Sequence, residues 1–541
     1  MQHSVKRVVP HFILNSLCVA VLLWVFSSSS LGKAVDLENQ SITVALTQEP
    51  PTLDTGLMAD IVSIFIAGHV NEGLVRYSAD GNIIPAVAHY WRSNGLQMEF
   101  TLRDGVMWSN GSRVSADDFV FAWRRGVSPE TASSQAGVFY VLKNGEAINK
   151  GLAGIETLGV RAEGANRLIV DLEKPCSYCL ALFASSAFFP VNRDFYNSTA
   201  GQYGTHADKT LYNGPFTVQD WVHDTAIVLG KNPWYWNAQA VKLNQINIGY
   251  ITSDNRARLN LFLDGQIALV RLDAETIKDA LGQGRKLKNH LTGRISYMAI
   301  NHDKDHIGSQ KDFRRALQLV IDPVLFNNRV ISMPGYRPAT SFFPASVLGK
   351  WRRSDQGGEK GRLRPDAEKA RLLLKNIDAD ILLRPLTLLT VTSPTGVKVA
   401  EYFQGLIKQE LGLSVIIDQQ TLKQYLDKRN KGQFDLCITS SYPEYPDLMT
   451  YADILGSGNP NNMGHFKNAD YDHWLNILQG TIDSDRRIEA AIKLQQIIDE
   501  EIAVIPLVEA GSNYMLHPML MGVVRRNAGP DPDYSHAWIQ Q

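Results

Sequence analysis

The sequence predicts an α/β protein of two or three domains. In its C-terminal half, β-branched runs at Leu386–Val391 and 414–417 alternate with amphipathic helix patterns at 397–411 and Leu422–Asn430, and a strand pattern follows at 434–439. Strands that alternate with helices indicate a mostly parallel sheet with right-handed crossovers. The 541 residues are enough for several domains of roughly 100 to 200 residues each.

The N-terminus has the pattern of a secretory leader. A basic pair precedes an apolar run over 12–26, and small residues follow up to Ala34. The run is shorter than the roughly 20 residues that a helix needs to cross a bilayer. Leu17 precedes Cys18 where a lipoprotein signal needs a small residue. We therefore predict a cleaved signal peptide over 1–34 and a soluble, periplasmic mature protein that does not span the membrane.

The charge balance excludes a nucleic-acid partner. Removal of 1–34 takes away three basic residues and no acidic one, which leaves 51 basic against 55 acidic side chains and a net charge of −4. Proteins that bind nucleic acid carry basic patches instead. The 44% apolar content is that of an ordinary globular chain with a substantial core.

The N-terminal half opens with a strand and a helix. Ser41–Leu46 is apolar and β-branched, a proline-rich turn follows at 49–54, and Ile61–Val70 has an apolar helix pattern. Further on, the segment 100–123 reads FTLRDGVMWSNGSRVSADDFVFAW. It predicts a strand at 100–103, two glycine-containing turns, and a helix that opens with a capping box over four residues from Ser115.

Three cysteines remain after removal of the leader. Cys176 and Cys179 form a Cys-x-x-Cys pair that follows a strand pattern at 167–173 and a proline. A redox motif would open a helix of a thioredoxin-like unit, so a local disulfide or two inert thiols is favoured over redox catalysis. Cys437 lies in a predicted strand, where a free cysteine behaves as a small apolar residue.

The order of these motifs resembles the extracellular solute-binding proteins, family 5, of peptide-type ABC importers. The match rests on the segment 100–123, a turn like the family's Leu-Asp-Pro motif at 49–54 with Thr55 in place of the proline, and four phrases in family order: NEGLV at 71–75, NGPF at 213–216, NPWYW at 232–236 and DFRRALQLVIDPVLFNNRV at 312–330. The resemblance covers nearly the whole mature chain. It implies a two-lobed periplasmic binding protein fold of type II, similar to cluster C, with an extra inserted domain.

The resemblance also implies domain bounds, partners and a mechanism. Lobe I comprises 35–71, 193–293 and 510–541, the inserted domain II comprises 72–192, and lobe III comprises 294–509. The receptor is expected to be a monomer that captures a peptide by hinge closure. The resemblance favours an oligopeptide as this ligand. It then delivers the ligand to the permease and ATPase of an ABC transporter.

The binding site is expected in the loop that follows the last predicted strand. Ligands of α/β sheets bind outside the carboxyl ends of the strands, and this loop reads SSYPEYPD over 440–447. In peptide-binding members an aspartate here pairs with the ligand's ammonium group. The matching residue is Glu444, which either plays that role or is a solvated loop acid. Ser441 stands where peptide binders carry tryptophan, and Tyr442 and Tyr445 either stack on the ligand or pack beneath the loop.

Four further residues are candidates for ligand contact. Arg429 matches a basic position near the ligand's far end, or belongs to a solvated charged stretch. Asp60 and Ile61 match a segment whose backbone pairs with an extended peptide, although Asp60 fits equally as the N-cap of the following helix. Gln135 matches a tyrosine near the cleft, and an exposed loop glutamine is the simpler interpretation. Ala299 replaces a family glutamate, which leaves ligand length and class open.

Enzyme motifs are missing from the sequence. It contains no Gly-x-Ser-x-Gly elbow, no His-Glu-x-x-His, no phosphate loop and no paired dinucleotide glycine motif. His302 and His306 are four residues apart, but they follow a strand pattern and favour a solvated loop over a metal site. We predict a binding protein that is not an enzyme and has no metal or cofactor. The alternatives are the same fold with a non-peptide ligand (heme, bile acid or sugar) and a secreted hydrolase.

Overall fold

The computed structural model describes residues 33–345, 365–443, 445–527 and 529–541. The strands of these residues are, in chain order, β1 (Val35–Asp36), β2 (Ser41–Leu46), β3 (Val75–Tyr77), β4 (Ile83–Pro85), β5 (Ala88–Ser93), β6 (Gln97–Leu102), β7 (Val160–Ala162), β8 (Arg167–Asp171), β9 (Phe216–Val222), β10 (Ala226–Lys231), β11 (Gln245–Ile251), β12 (Leu269–Leu272), β13 (Lys288–Ile300), β14 (Arg337–Pro338), β15 (Leu386–Val391), β16 (Val415–Gln420), β17 (Leu436–Ser441), β18 (Val504–Leu516), β19 (Leu520–Met521) and β20 (Trp538–Ile539).

The α-helices of the same residues are α1 (Ile61–Val70), α2 (Ala116–Val127), α3 (Gly145–Asn149), α4 (Cys179–Leu182), α5 (Arg193–Ser198), α6 (Asn255–Leu263), α7 (Ala274–Gly282), α8 (Lys311–Val320), α9 (Pro323–Phe326), α10 (Ala367–Leu374), α11 (Ala379–Leu382), α12 (Pro394–Leu411), α13 (Leu422–Asn430), α14 (Met449–Ala452), α15 (Ala469–Gly480) and α16 (Ser484–Glu501). In the described part of the chain, no helix is both long and apolar enough to cross a membrane. The predicted signal peptide lies outside the described residues except for its last two positions.

Residues from near both ends of the described chain pack in the core on a five-stranded sheet. Its order is β1-β2-β11-β10-β9, and β2 and β11 are its parallel pair. Helix α1 packs Ile66 and Val70 into the same core as Phe216 and Tyr534. The predicted strand Ser41–Leu46 and the predicted helix Ile61–Val70 therefore have the bounds that the sequence indicated.

The segment that follows α1 forms its own antiparallel sheet, in the order β5-β6-β8-β7. Helix α2 packs against it through fully buried side chains that include Trp123. The predicted capping box is confirmed, because the backbone amide of Ser115 donates to Asp118 Oδ2 at 2.8 Å. The same carboxylate accepts from Trp108 Nε1 at 3.3 Å, which ties the helix start to the preceding turn.

A seven-stranded sheet dominates the second half of the chain. Its order is β12-β18-β13-β17-β15-β16, with β14 paired to β18. Strand β15 is parallel to β16 and β17, as the βαβ pattern predicts. The prediction of a mostly parallel sheet is nevertheless wrong for the sheet as a whole, because β12, β13, β14 and β18 pair antiparallel. These strands come from outside the βαβ units, so local alternation carries no information about their direction.

The two longest strands of the described residues, β13 and β18, are neighbours in this sheet. Leu291 pairs with Gly511 and Ile295 with Glu509, and the register shifts between these two pairs. Gly293 lies inside the irregularity with φ of +73°. A bulge of this kind bends a strand locally and interrupts its ladder. It falls where the resemblance places the two crossings between the lobes, near 293 and 509.

The family phrase at 312–330 contains two helices. Helix α8 ends at Val320, and Asp322 caps α9 by accepting from Val324 N at 2.8 Å. Pro323 provides the physical reason, since proline removes an amide donor and suits the first turn of a new helix. Of the alternatives for the cysteine pair, the structure shows the disulfide between Cys176 and Cys179.

The thiol of Cys437 and the carboxylate of Asp533, in the C-terminal segment, are both buried. Cys437 is fully buried, and burial raises its pKa to about 12, as expected of an inert thiol. In the tail, Asp533 is also buried and accepts from Arg526 at 2.7 Å. Burial by itself raises the pKa of Asp533, but neighbouring charges, led by Arg526, outweigh burial and lower the pKa to about 2.

We expect Asp533→Asn to destabilise the protein by roughly 2 to 3 kcal/mol at neutral pH, because the lowered pKa is a stability contribution of the ionised carboxylate. A lowered pKa stabilises the fold above the unfolded value near 3.8. This contribution fades as the pH falls, to about half by pH 3 and further by pH 2.

Urea denaturation of wild type and variant at pH 7 and pH 3 measures the difference. Asp80→Asn, at an exposed acid, is the control and should stay within about 0.5 kcal/mol of wild type at both values. An Asp533→Asn effect that is the same size at both pH values contradicts the ion-pair account.

Candidate functional site

The candidate site lies at the carboxyl end of β17. This strand is interior to the seven-stranded sheet, between β13 and β15, and the chain leaves it through residues 442–448, called the β17 loop below. Helix α14 follows the loop. A loop at the carboxyl end of a parallel strand is where α/β sheets bind ligands, so the topology agrees with the predicted position. Glu444 itself lies outside the described residues.

The two tyrosines of the β17 loop have different environments. Tyr442 is 58% exposed, and its hydroxyl accepts from Arg294 Nη1 at 2.9 Å. The Arg294 guanidinium also lies 5.4 Å from the centre of the Tyr442 ring. Tyr445 is buried and stacks on Tyr178, with ring centres 5.0 Å apart and planes 9° from parallel. Tyr442 is thus open to a ligand, and Tyr445 packs beneath the loop.

Ser441 and Arg429 belong to consecutive elements, β17 and the helix α13 that precedes it. Ser441 is the last residue of β17 and pairs with Ile295 of β13. Arg429 belongs to the last turn of α13 and donates from Nη2 to Asn430 Oδ1 at 3.1 Å. Its guanidinium lies 5.8 Å from the ring centre of Tyr425. Whether either side chain contacts a ligand stays a prediction.

Three of the predicted contact residues lie in the N-terminal half of the chain. Asp60 is the N-cap of α1, where its Oδ1 accepts from Val62 N at 3.0 Å and Ser63 N at 2.9 Å. Ile61 is 73% exposed although it is apolar. Gln135 is partly exposed, and its backbone N–H donates to Ser133 Oγ at 3.2 Å. The cap explains Asp60 without a ligand, whereas the described residues leave the apolar Ile61 side chain largely exposed.

A buried ion pair lies behind the β17 loop and was not predicted from the sequence. Asp447 accepts from Arg487 Nη2 at 2.7 and 2.6 Å, and both residues are less than a tenth exposed. The same Asp447 Oδ1 accepts from Met449 N at 2.9 Å at the start of α14. Arg487 belongs to α16 and is 40 residues after Asp447 in the sequence. It is one of many charged residues in that helix, so the sequence does not single it out. The pair fixes the end of the loop.

The described histidine, cysteine and acidic side chains are not clustered as metal ligands would be. In the described ranges, no cluster of three or more histidine, cysteine, aspartate or glutamate side chains is placed to hold a metal ion. His302 and His306 do not converge: His302 Nε2 hydrogen-bonds to Ala503 O at 3.0 Å, and His306 Nδ1 to Asp435 Oδ1 at 2.8 Å. Burial, with a contribution from Arg314, lowers the pKa of His302 to about 4, so this imidazole is neutral at physiological pH.

Comparisons with known proteins agree with this architecture. A family model described as bacterial extracellular solute-binding proteins, family 5 Middle, matches residues 82–463. The periplasmic murein peptide-binding protein MppA of Escherichia coli K12 is 28% identical over 535 residues, which cover 96% of each chain. The probable deoxycholate-binding periplasmic protein YgiS of the same strain is 30% identical over 487 residues, 88% of this chain and 90% of that one.

A solved structure is similar over the whole length. The unliganded open form of the murein tripeptide-binding protein MppA superposes with a TM-score of 0.82 at 28% identity, over 94% of this chain and 98% of that chain. The two-lobed periplasmic binding protein fold predicted from the sequence is therefore confirmed. The arrangement of the halves is close to that of an open form.

The two interpretations of Asp60 can be separated by substitution. We expect Asp60→Ala to cost about 1 kcal/mol of stability, because the N-cap is lost, and Asp60→Asn to cost much less, because asparagine caps equally well. Peptide affinity should change little in either variant if this segment pairs through its backbone. Urea denaturation and calorimetry on both variants check this. A large loss of affinity in Asp60→Asn without loss of stability would assign the carboxylate to the ligand instead.

Proposed function

The chain belongs to the bacterial extracellular solute-binding proteins of family 5, and on that basis we propose that it is a periplasmic receptor that captures peptides for an ABC importer. The observation that carries the proposal is its similarity to the murein peptide-binding protein MppA along 96% of both chains. The exposed Tyr442 in the β17 loop supports it, because it leaves an aromatic surface open where family 5 members recognise ligand. The permease and ATPase supply transport, and the receptor acts as a monomer.

The receptor captures its ligand without chemistry. Members of the family are binding proteins, and the sequence carries no motif of a hydrolase. Specificity for a free amino terminus is assigned to Glu444, since a carboxylate in a closed cleft makes a charge-assisted hydrogen bond to an ammonium group. The described neighbours of Glu444 support this role, because Tyr442 faces outward and Tyr445 anchors the loop from below.

The lobes close around the ligand by bending at the two strand crossings. Lobe I is assigned to 35–71, 193–293 and 510–541, the insert to 72–192 and lobe III to 294–509. The register shift between β13 and β18 at Gly293 supports a hinge there, because a bulge leaves backbone groups unpaired and concentrates bending. The similarity to an open form gives the starting state of this motion.

Export is assigned to residues 1–34, with a basic pair followed by a short apolar run. Relatives such as MppA are periplasmic proteins. Ala34 is buried, and its amide donates to Gly265 O at 2.8 Å. The predicted cleavage after Ala34 would remove this contact from the mature protein.

A bile acid is the second candidate ligand. The observation that favours it is the 30% identity to the probable deoxycholate-binding protein YgiS. Ser440 and Ser441 also depart from the Gly-Trp pair of peptide binders. Peptide remains preferred because the match to MppA covers more of both chains.

We expect saturating peptide to reduce the radius of gyration of wild type in small-angle X-ray scattering, since ligand stabilises the closed population. Gly293→Ala should reduce this compaction: φ there is +73°, and an added Cβ would lie 2.8 Å from Pro443 Cγ. Gly284→Ala is the matched control, with φ of +71° and no neighbour within 4 Å. It should compact like wild type. Equal radii for free and loaded wild type would argue against hinge closure.

Glu444→Gln tests recognition of the amino terminus. The variant keeps the shape and one acceptor oxygen but loses the charge, so binding of a free peptide should weaken by roughly 2 to 5 kcal/mol, about 30-fold or more. Glu401→Gln, at an exposed acid on α12, should bind like wild type. An N-acetylated peptide should bind wild type weakly and lose little more in Glu444→Gln, so the two changes are strongly non-additive.

Isothermal titration calorimetry with free peptide, acetylated peptide and deoxycholate covers both candidate ligands. If Glu444→Gln binds free peptide as tightly as wild type does, the assignment of Glu444 fails. If wild type binds deoxycholate and no peptide, the peptide assignment fails and the bile acid takes its place.

A further inference from the structure

A short loop of the insert reaches the second half of the chain. This loop, residues 176–179, is closed by the disulfide between Cys176 and Cys179 and is called the disulfide loop below. Ser177 N donates to Gln479 O at 3.1 Å, and Ser177 Oγ donates to Leu478 O at 3.0 Å. Both acceptors belong to the last turn of α15, whose carbonyls have no partner within the helix. The disulfide loop therefore satisfies the carboxyl end of a helix in the other half.

Arg487 connects this contact to the β17 loop. Its Nη1 donates to Leu478 O at 2.8 Å and to Ser177 Oγ, while its Nη2 donates to both oxygens of Asp447. The residue is 3% exposed. A buried guanidinium needs all these acceptors, because an unsatisfied buried donor costs free energy. Displacement of Ser177 would thus disturb the group that holds Asp447.

A second contact joins the two loops directly. Tyr178, the residue after Ser177, stacks on Tyr445 with ring centres 5.0 Å apart. Two consecutive residues of the disulfide loop therefore support the β17 loop. Tyr178 stacks on Tyr445. Ser177 accepts a hydrogen bond from Arg487, which in turn binds Asp447. Stacked aromatic pairs add stabilisation beyond the area that they bury.

The disulfide restricts the conformational freedom of the two residues that make these contacts. Cys179 is fully buried at the start of α4, next to the fully buried Phe183. Cys176 is only partly buried and follows the exposed Pro175. The bond ties this partly exposed end to the anchored helix, so Ser177 and Tyr178 lie in a loop with few accessible conformations. Without it, ordering both residues would cost conformational entropy.

We propose that the disulfide loop is a positioning element of the ligand site, with Ser177 and Tyr178 as positioning residues that hold the β17 loop in its binding conformation. This inference rests on the proposed function for the claim that the β17 loop contacts ligand. It adds a redox dependence: a phosphine reductant breaks the S–S bond to give two thiols and is itself oxidised, with water, to the phosphine oxide, and this loosens the β17 loop and weakens capture.

Hydrogen exchange read by mass spectrometry tests the positioning without any ligand. The amides of Asp447 and Met449 report on the loop, since they donate to Tyr445 O at 2.8 Å and to Asp447 Oδ1 at 2.9 Å. Tyr178→Leu should accelerate exchange at these amides by about 2- to 10-fold, the range expected for loss of one stacked pair. Tyr178→Phe keeps the stack and should lie closer to wild type.

Two further samples complete the exchange experiment. Tyr140→Leu is the matched control, because Tyr140 is a partly buried tyrosine of the insert that hydrogen-bonds to Asn149 at 2.8 Å. It should leave the β17 loop unchanged. Reduction of folded wild type with a phosphine should accelerate the same amides as Tyr178→Leu does. Unchanged exchange at Asp447 and Met449 overturns the proposal, and so does equal acceleration throughout the insert, which indicates a purely structural role.

Ligand binding supplies the second readout. Free peptide should bind Tyr178→Leu several-fold more weakly than wild type, about 2- to 10-fold by the same reasoning, while the thermal midpoint changes little. Equal affinity would contradict the link between positioning and capture. If wild type binds no peptide, the proposed function fails, and the exchange data still decide whether the disulfide loop positions the β17 loop.

Discussion

The pairing of β13 with β18 is the constraint on which the rest of the structure depends. These two strands of 13 residues each carry the sheet through both halves of the molecule, and their register shifts at Gly293. Gly293 O accepts from the buried Tyr451 hydroxyl at 2.6 Å, and Tyr451 belongs to α14, directly after the β17 loop. A single hydrogen bond therefore connects the register shift at Gly293 to the helix that follows the β17 loop.

A second constraint lies at Glu72, in the segment that follows α1. Glu72 is buried, and its carboxylate accepts from Arg76 at 3.1 Å, Tyr235 at 2.7 Å and Trp236 at 2.6 Å. Arg76 also approaches Asp533 of the tail, at 3.9 Å. A buried carboxylate is tolerated only with such a full set of partners. One charge network thus joins segments that are hundreds of residues apart, and it includes residues of the two phrases NEGLV and NPWYW.

The sequence predicted the local elements well and the long-range contacts poorly. The bounds of α1, α13, β2 and β15 agree with the patterns, because apolar spacing and caps act within one element. The antiparallel direction of β13 and β18 in the sheet depends on strands that are distant in sequence. No local pattern encodes it. The candidate site shows the same division: its position followed from topology, whereas Arg487 and Ser177 look like ordinary polar residues in sequence. Their role appears only once α16 and the insert are packed together.

The β17 loop is held from three directions, and this bears on how it recognises a ligand. The β17 ladder fixes its start, the Asp447–Arg487 pair fixes its end, and Tyr178 supports its centre through Tyr445. Ordering a loop on binding costs free energy, so a loop that is already ordered spends less of its contact energy on itself. The disulfide loop is thus one of the three supports of the β17 loop. Under the proposed function it braces the loop before ligand arrives, and hinge closure is the principal rearrangement left for capture.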